Sequence, residues 1–323
     1  MKLSRRQLMS GAAAMVASPW TLAQSQAWPA KPISLIVPFT AGGAADGISR
    51  AVAQKSGPVL GTTVVVENRA GAATLVGSEY VARSAPDGYT LLVISSALPS
   101  TLALRKTAQV NLGQFAPITV MAEAPLALAV RSGIPVNSVA ELVAYAKGLP
   151  SKLSVATNGV GTTSHLMAAK FGIEGGFGIT DVPYQGSAQA WQDVIAGRVD
   201  IYFDALQSVL PHTRAGRAKL MAVTSAERSP ASPETPTMRE AGYPALVNSP
   251  WWGIAAPIGT PEAVLRQLEK VFVDAGSSEE VRARLVAFGG RPVFNSRAEA
   301  SAMLKRDFDF WTSVVDTAGI KVQ

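Results

Sequence analysis

The chain has no cysteine and only two histidines, His165 and His212. Without cysteine there is no disulfide, no thiolate metal ligand and no thiol for a lipid anchor. Two isolated histidines would need carboxylates gathered from elsewhere to hold zinc, so no zinc centre is indicated. A carboxylate-rich calcium loop is missing too. Charged residues are 16% of the composition, and no run of them follows one face. Half of the formal net charge of +6 resides in Lys2, Arg5 and Arg6. The remainder is too mild and too scattered to argue for nucleic acid. No apolar run reaches the ~20 residues that a membrane helix needs, and no Gly-x-Ser-x-Gly nucleophile elbow occurs.

What is present begins with a leader. Lys2, Arg5 and Arg6 precede a mostly apolar stretch at Gly11–Ala17, and Thr21-Leu22-Ala23 offers small residues for cleavage. That order predicts an export signal over residues 1–23, with Ser25-Gln26-Ala27 as an alternative cleavage site. Ser4-Arg5-Arg6-Gln7-Leu8-Met9 resembles the twin-arginine export motif. The chain beyond it is long enough for two domains, each with its own core.

Short apolar runs then alternate with helical patterns. Strands are expected at 33–37, 63–67, 90–94, 126–130, 153–157, 180–184, 200–204, 219–224 and 251–255. Helices are expected at 138–147, 163–171 and 188–196, among others. This alternation predicts α/β layers with mainly parallel sheets. The last third reads as three successive helices, 262–275, 279–288 and 297–317, with no clear strand between them. Pro-containing stretches near 132–137 and 229–236 suggest crossings between lobes. The expected division is one lobe from 28–130 plus 250–323 and a second from 131–249. A chain that leaves a lobe and returns to it lays two linkers side by side, which is a hinge, and ligand pockets favour such interfaces.

Three motifs carry the chemistry. In Phe39-Thr40-Ala41-Gly42-Gly43-Ala44-Ala45-Asp46 an apolar strand runs into a glycine pair and then a helix start. Such a backbone points several N–H groups and the positive end of a helix at one spot, which suits a carboxylate. Asp46 falls in the first turn, where it complements the dipole and can tie the loop down. Read alone, Gly42-Gly43 is also an ordinary turn and Asp46 an ordinary cap. The second motif, Asn158-Gly159-Val160-Gly161-Thr162-Thr163-Ser164-His165, repeats the pattern. Ser164 replaces the last glycine of a dinucleotide fingerprint, and the acidic residue such a fingerprint needs is misplaced, so no nucleotide cofactor is expected. His165 has a plainer role as a helix-start residue bonded to nearby backbone. The third motif, Val182-Pro183-Tyr184-Gln185-Gly186-Ser187, is followed by a strand that ends on Asp204, beyond the carboxyl end where ligands sit. Trp251-Trp252 reads as strand packing. Hydrolysis would have to draw on Ser95, Ser96, Ser164 or Ser187 near His165. Ser164 and His165 are helix neighbours that do not face each other.

Taken together in this order, Pro38–Arg50, Val66–Arg69, Gly71–Gly77, Pro86–Leu92, Gly159–Leu166, Val182–Gly186, Gly197–Asp204 and Trp251–Pro261 resemble the substrate-binding receptors of tripartite tricarboxylate transporters, often called Bug proteins. The resemblance implies a two-lobed periplasmic binding protein of the type II kind, with a ligand cleft between its lobes and a helical C-terminal segment. It implies capture of a small carboxylate by the loops Phe39–Asp46 and Asn158–His165, with Ser95, Ser96 and Tyr184–Ser187 completing the pocket. No enzyme activity, metal or cofactor is implied. The implied partner is a membrane permease or a sensor protein, and the implied state is a monomer. The chain departs from the family at Gly71-Ala72-Ala73-Thr74, where a glycine-richer turn is usual, so this loop should be stiffer. It departs again at Thr40-Ala41, where Pro-Pro is common. The expectation is therefore a periplasmic receptor for an organic acid, a dicarboxylate or an aromatic acid. The alternative is a secreted hydrolase of an organic ester or acid. Gly43→Val is the substitution that this reading expects to block binding.

Overall fold

The run Ile33-Ser34-Leu35-Ile36-Val37 is apolar without alternation because the strand it forms is buried on both faces, as interior parallel strands are. The computed structural model describes residues 28–159, 161–184, 186–287 and 290–319; the expected export signal at 1–23 lies outside them. The first sheet is built from β1 (Ile33–Val37), β2 (Val64–Asn68), β3 (Thr90–Ser95), β4 (Phe115–Glu123), β10 (Trp251–Pro257) and β11 (Arg291–Pro292). The second is built from β5 (Leu126–Arg131), β6 (Leu153–Thr157), β7 (Ile179–Pro183), β8 (Ile201–Ala205) and β9 (Ala218–Val223). Their strand orders are β11-β4-β10-β3-β1-β2 and β7-β6-β8-β5-β9.

Helices cover both faces of each sheet. On the first sheet, α1 (Ala44–Leu60), α8 (Glu262–Gly276) and α9 (Glu279–Ala287) seal one core, with Ile48, Leu268 and Phe272 fully buried. The other face carries α2 (Leu75–Ala82) and α3 (Ala97–Leu104) over Leu92, Ile94 and Leu98. On the second sheet, α4 (Val139–Gly148) and α5 (Thr163–Gly175) bury Leu142, Leu166 and Phe171. Opposite them, α6 (Ser187–Ile195) and α7 (Leu206–Arg214) bury Trp191 and Val209 against Tyr202. The last helix, α10 (Arg297–Ala318), contributes Leu304 to the first lobe's core and Trp311, Val314 and Val315 to the second's.

The fold class is thus α/β and two-lobed, with four differences from the sequence expectation. The sheets are mixed. Parallel pairing holds for β1 with β2 and β3, and for β6 with β7 and β8. The remaining strands pair antiparallel. β4 was not expected, because Pro117 interrupts its apolar pattern; the strand tolerates it where the register with β10 shifts. A short β11 separates α9 from α10. Finally, β5 belongs to the second sheet, so the chain changes lobes at Ala124-Pro125 rather than after Val130, and the Ser132–Asn137 stretch lies wholly within the second lobe.

Two crossings lie side by side, since the Ala124 N–H donates to the Pro250 carbonyl at 2.8 Å. α10 makes a third link, fastened by Asp307. Its Oδ1 accepts from Asn248 Nδ2 at 2.7 Å and its Oδ2 from Trp251 Nε1 at 3.1 Å. Burial raises the Asp307 pKa to about 6 from 3.8, against the opposing pull of those two donors. A raised folded-state pKa means that the protonated form favours the fold. The contribution is complete below the unfolded value and is lost as pH rises through 6. Against a non-titrating Asp307→Asn protein, wild type is expected to lose up to about 3 kcal/mol between roughly pH 4 and pH 7. Urea unfolding of both proteins at each pH reads this out; a pH-independent difference would remove Asp307 as the titrating group.

Candidate functional site

The two glycine loops are built alike, one on each lobe. β1 runs into Gly42 and β6 into Gly161, and both glycines take φ of +85°, a left-handed value that costs an L-residue about 1–2 kcal/mol. Each then donates its N–H to the side chain four residues on, in the first turn of the following helix. Gly42 N donates to Asp46 Oδ2 at 3.0 Å, and Gly161 N to His165 Nδ1 at 3.2 Å.

These anchoring side chains are themselves fixed. Asp46 accepts from Arg50 Nε at 3.0 Å and from Asn68 Nδ2 at 2.9 Å. Arg50 is the main cause that holds its carboxyl at about 2, with Gly42 and Asn68 adding to it against burial. Asn68 Nδ2 also donates to the Phe39 carbonyl at 3.1 Å, so one carboxylate and one amide fasten the whole first loop. In the second loop, burial pushes the His165 pKa down, opposed by Asp181, whose Oδ2 stands 3.9 Å from Nε2. A neutral ring keeps Nδ1 free to accept from Gly161. Asp204, only 2% exposed, accepts from Ser187 Oγ at 2.9 Å and Trp191 Nε1 at 3.1 Å, and from Asn158 Nδ2 at 3.5 Å. Burial raises its pKa against these donors. Tyr202 donates to Asn158 Oδ1. Asp204 therefore ties the Asn158 loop to the start of α6.

A cleft of about 560 Å³ lies between the loops. Of the expected site residues, Phe39, Thr40, Ser95, Ser96, Asn158, Gly161, Thr162 and Thr163 line it. Ala41, Gly42 and Gly43 are exposed beside Thr40, outside the lining; Gly159 lies outside it too, and Asp46, His165 and Asp204 are anchors outside it. Tyr184, Gly186 and Ser187 are outside it as well. The Tyr184 hydroxyl donates to Asp193 Oδ2 at 2.8 Å, and burial pushes its pKa up to about 12.

The first turns of α3 and α5 both open on the cleft, through Ser96-Ala97 and Thr162-Thr163. Their leading N–H groups lack helical partners and carry the positive end of the dipole. Two hydroxyls in the same wall, Ser95 Oγ and Thr74 Oγ1, are buried with no hydrogen-bond partner among the described residues. An unsatisfied buried hydroxyl costs about 1–3 kcal/mol, which an acceptor placed there recovers. Among the described lining residues none is acidic, and Arg105 is the one charged side chain. The arrangement suits a small anion.

It does not assemble a nucleophile with a base at Ser164. That hydroxyl donates to the Phe203 carbonyl at 2.6 Å, while His165 Nδ1 is taken by the Gly161 amide.

The sequence reading missed Thr74, Arg105 and Trp252. α3 could have been found: Ser95-Ser96 before Leu98 and Leu102 is a helix-start pattern, and Pro99 is tolerated in a first turn. Thr74 offered no such signal. Ala72, Ala73 and Thr74 all take positive φ, of 46°, 53° and 83°, where glycine is the residue to expect. The backbone there is strained, and Thr101 Oγ1 holds it by donating to the Ala73 carbonyl at 3.1 Å.

A family model described as the tripartite tricarboxylate transporter family receptor matches residues 48–320. Protein BugT of Bordetella pertussis is 33% identical over 315 residues, covering 97% of this chain and 96% of that one. Among solved structures, R. palustris Rpa4515 with adipate superposes with a TM-score of 0.76 at 33% identity, covering 91% of this chain and 99% of that chain. MatC (Rpa3494) from Rhodopseudomonas palustris with bound malate gives 0.72 at 29% identity, covering 89% and 99%.

Proposed function

We propose, from the premise that this chain belongs to the family of tripartite tricarboxylate transporter receptors, that it is a Bug-type periplasmic receptor holding a small organic acid between its two lobes. The observation that carries this reading is the meeting of two helix starts with two hydroxyls, Ser95 and Thr74, that have no partner among the described residues, on a cleft with no acidic residue among its described lining. A carboxylate accepts hydrogen bonds from amides and hydroxyls alike and needs no buried cation to balance it there. The adipate and malate bound by the two similar receptors are acids of this kind. The paired crossings at Ala124-Pro125 and Pro250 supply a hinge for closure, and the closed receptor delivers its acid to a membrane permease. The leader at residues 1–23 supports export to the periplasm. The role is binding without turnover, since His165 and Ser164 are committed to holding the second loop.

The test is thermal melting of the leaderless protein, refolded to strip carried-over ligand, against di- and tricarboxylates, aromatic carboxylates and acidic amino acids. An acid at 100 times its dissociation constant adds about 2.7 kcal/mol, which raises the midpoint by roughly 5 °C for a chain of this length. A flat response across every acid, with hydrolysis of a model ester, would replace the receptor with the hydrolase.

A further inference from the structure

α3 lies lengthwise in the cleft. Ala97, Ser100, Thr101, Leu104 and Arg105 all line it, and their spacing of three to four residues is one face of a helix. Its 8 residues put the two ends about 12 Å apart. At the N-terminal end stands the Ser95 hydroxyl, with no hydrogen-bond partner among the described residues; Thr74 sits further along the helix, next to the Ala73 carbonyl that accepts from Thr101. At the C-terminal end stands Arg105, exposed, with no carboxylate paired to it among the described residues. Nearby cations are paired instead, Arg83 with Glu79 and Lys106 with Asp316. A Cβ built on Gly161 would stand 2.9 Å from Leu104 Cδ1. The second lobe's loop, and with it the start of α5, therefore sits at the Arg105 end. Much of the remaining lining is apolar, Phe39, Leu104 and Trp252 among it.

The cleft thus has two anion-attracting ends separated by apolar wall. We infer that Arg105 is the specificity-determining cation and that the ligand is an extended dicarboxylate. One carboxylate sits at the Ser95 end of α3, and the other lies between Arg105 and the start of α5. The inference rests on the receptor reading above. The planar guanidinium matches a carboxylate in two parallel hydrogen bonds. A monocarboxylate of equal length would leave Arg105 unused.

Calorimetric titration of adipate against hexanoate, and of succinate against butyrate, tests this with wild type, Arg105→Gln and Arg105→Lys. Wild type is expected to prefer adipate over hexanoate by at least about tenfold, with a smaller preference for succinate, which is too short to reach both ends, and Arg105→Gln to bring adipate down to the affinity of hexanoate. Arg105→Lys keeps part of the preference, because it keeps the charge but not the fork. Melting of the variants should match wild type, since the side chain is exposed. A diacid affinity that survives Arg105→Gln overturns the inference and leaves the receptor reading standing. A wild type that binds neither series also overturns the inference, while the receptor reading is then decided by the wider panel of acids.

Discussion

Gly161→Val is expected to weaken ligand binding by at least about 100-fold, equivalent to about 2.7 kcal/mol, while the protein still folds. Three effects act together. The φ of +85° is one that a β-branched residue adopts only with strain. The added Cβ would stand 2.9 Å from Leu104 Cδ1 on the opposite lobe, so the branched methyls enter the cleft. If the backbone turns to relieve both, Gly161 N leaves His165 Nδ1 and the start of α5 is no longer aimed at the ligand. Gly43→Val, the choice made from sequence, is a milder change. Gly43 has an extended backbone with φ of −80°, its Cβ would meet only the Thr40 carbonyl oxygen, at 3.8 Å, and it lies outside the lining. Calorimetry on both variants with the acid found by melting decides the matter. Equal loss in both would place the ligand against the first loop's glycines, and no loss in Gly161→Val would move the ligand away from the second loop.

Gly253→Val is expected to destabilise the protein by about 3 kcal/mol or more, at the upper end of what overpacking costs. Gly253 sits in β10, between β3 and β4, next to a shift in register. A Cβ there would meet the Thr119 carbonyl oxygen at 2.5 Å and Val120 Cα at 3.2 Å. Both are backbone atoms of a paired strand and cannot swing aside as a side chain would. Relief requires β10 and β4 to separate, which breaks ladder hydrogen bonds in the middle of the first sheet. Trp252, which lines the cleft opposite Ser95, would shift with it. Urea unfolding should show a lower midpoint at unchanged slope. Gly148→Ala is the control: nothing lies within 4 Å of its added Cβ, and alanine suits the end of α4 better than glycine. If Gly253→Val melts with wild type, the close approach of β10 to β4 is wrong.

Both sites differ in how far they could be read from the chain. Gly161 was legible because its neighbourhood is local: a strand, two glycines, hydroxyls and a helix start within one stretch. The same holds for Gly42, Gly43 and Asp46, for most strands of both sheets, and for the family, whose phrases are short and contiguous. Gly253 was legible only as a strand residue, since what makes it irreplaceable is a carbonyl on Thr119, far away in sequence. β4 itself was hidden by Pro117, because a proline is acceptable in a strand only if the partner's register leaves its nitrogen unneeded, and the partner is β10. The lobe boundary was misplaced for the same reason: 126–130 reads as a buried strand either way, and only its pairing with β8 and β9 assigns it to the second sheet.

The sequence by itself determined the local shapes: glycine turns that require positive φ, helix starts after them, and apolar runs long enough to be buried on both faces. These follow from backbone sterics and burial over a few residues. The tertiary structure alone decided which of those shapes share a cleft. It placed α3 along the cleft, set Thr74 and Ser95 without partners among the described residues of its wall, left Arg105 the single charge in the described lining, and joined the lobes through Asp307. Hydrogen-bond partnership and charge pairing are properties of groups brought together from distant positions, so no window of neighbouring residues contains them.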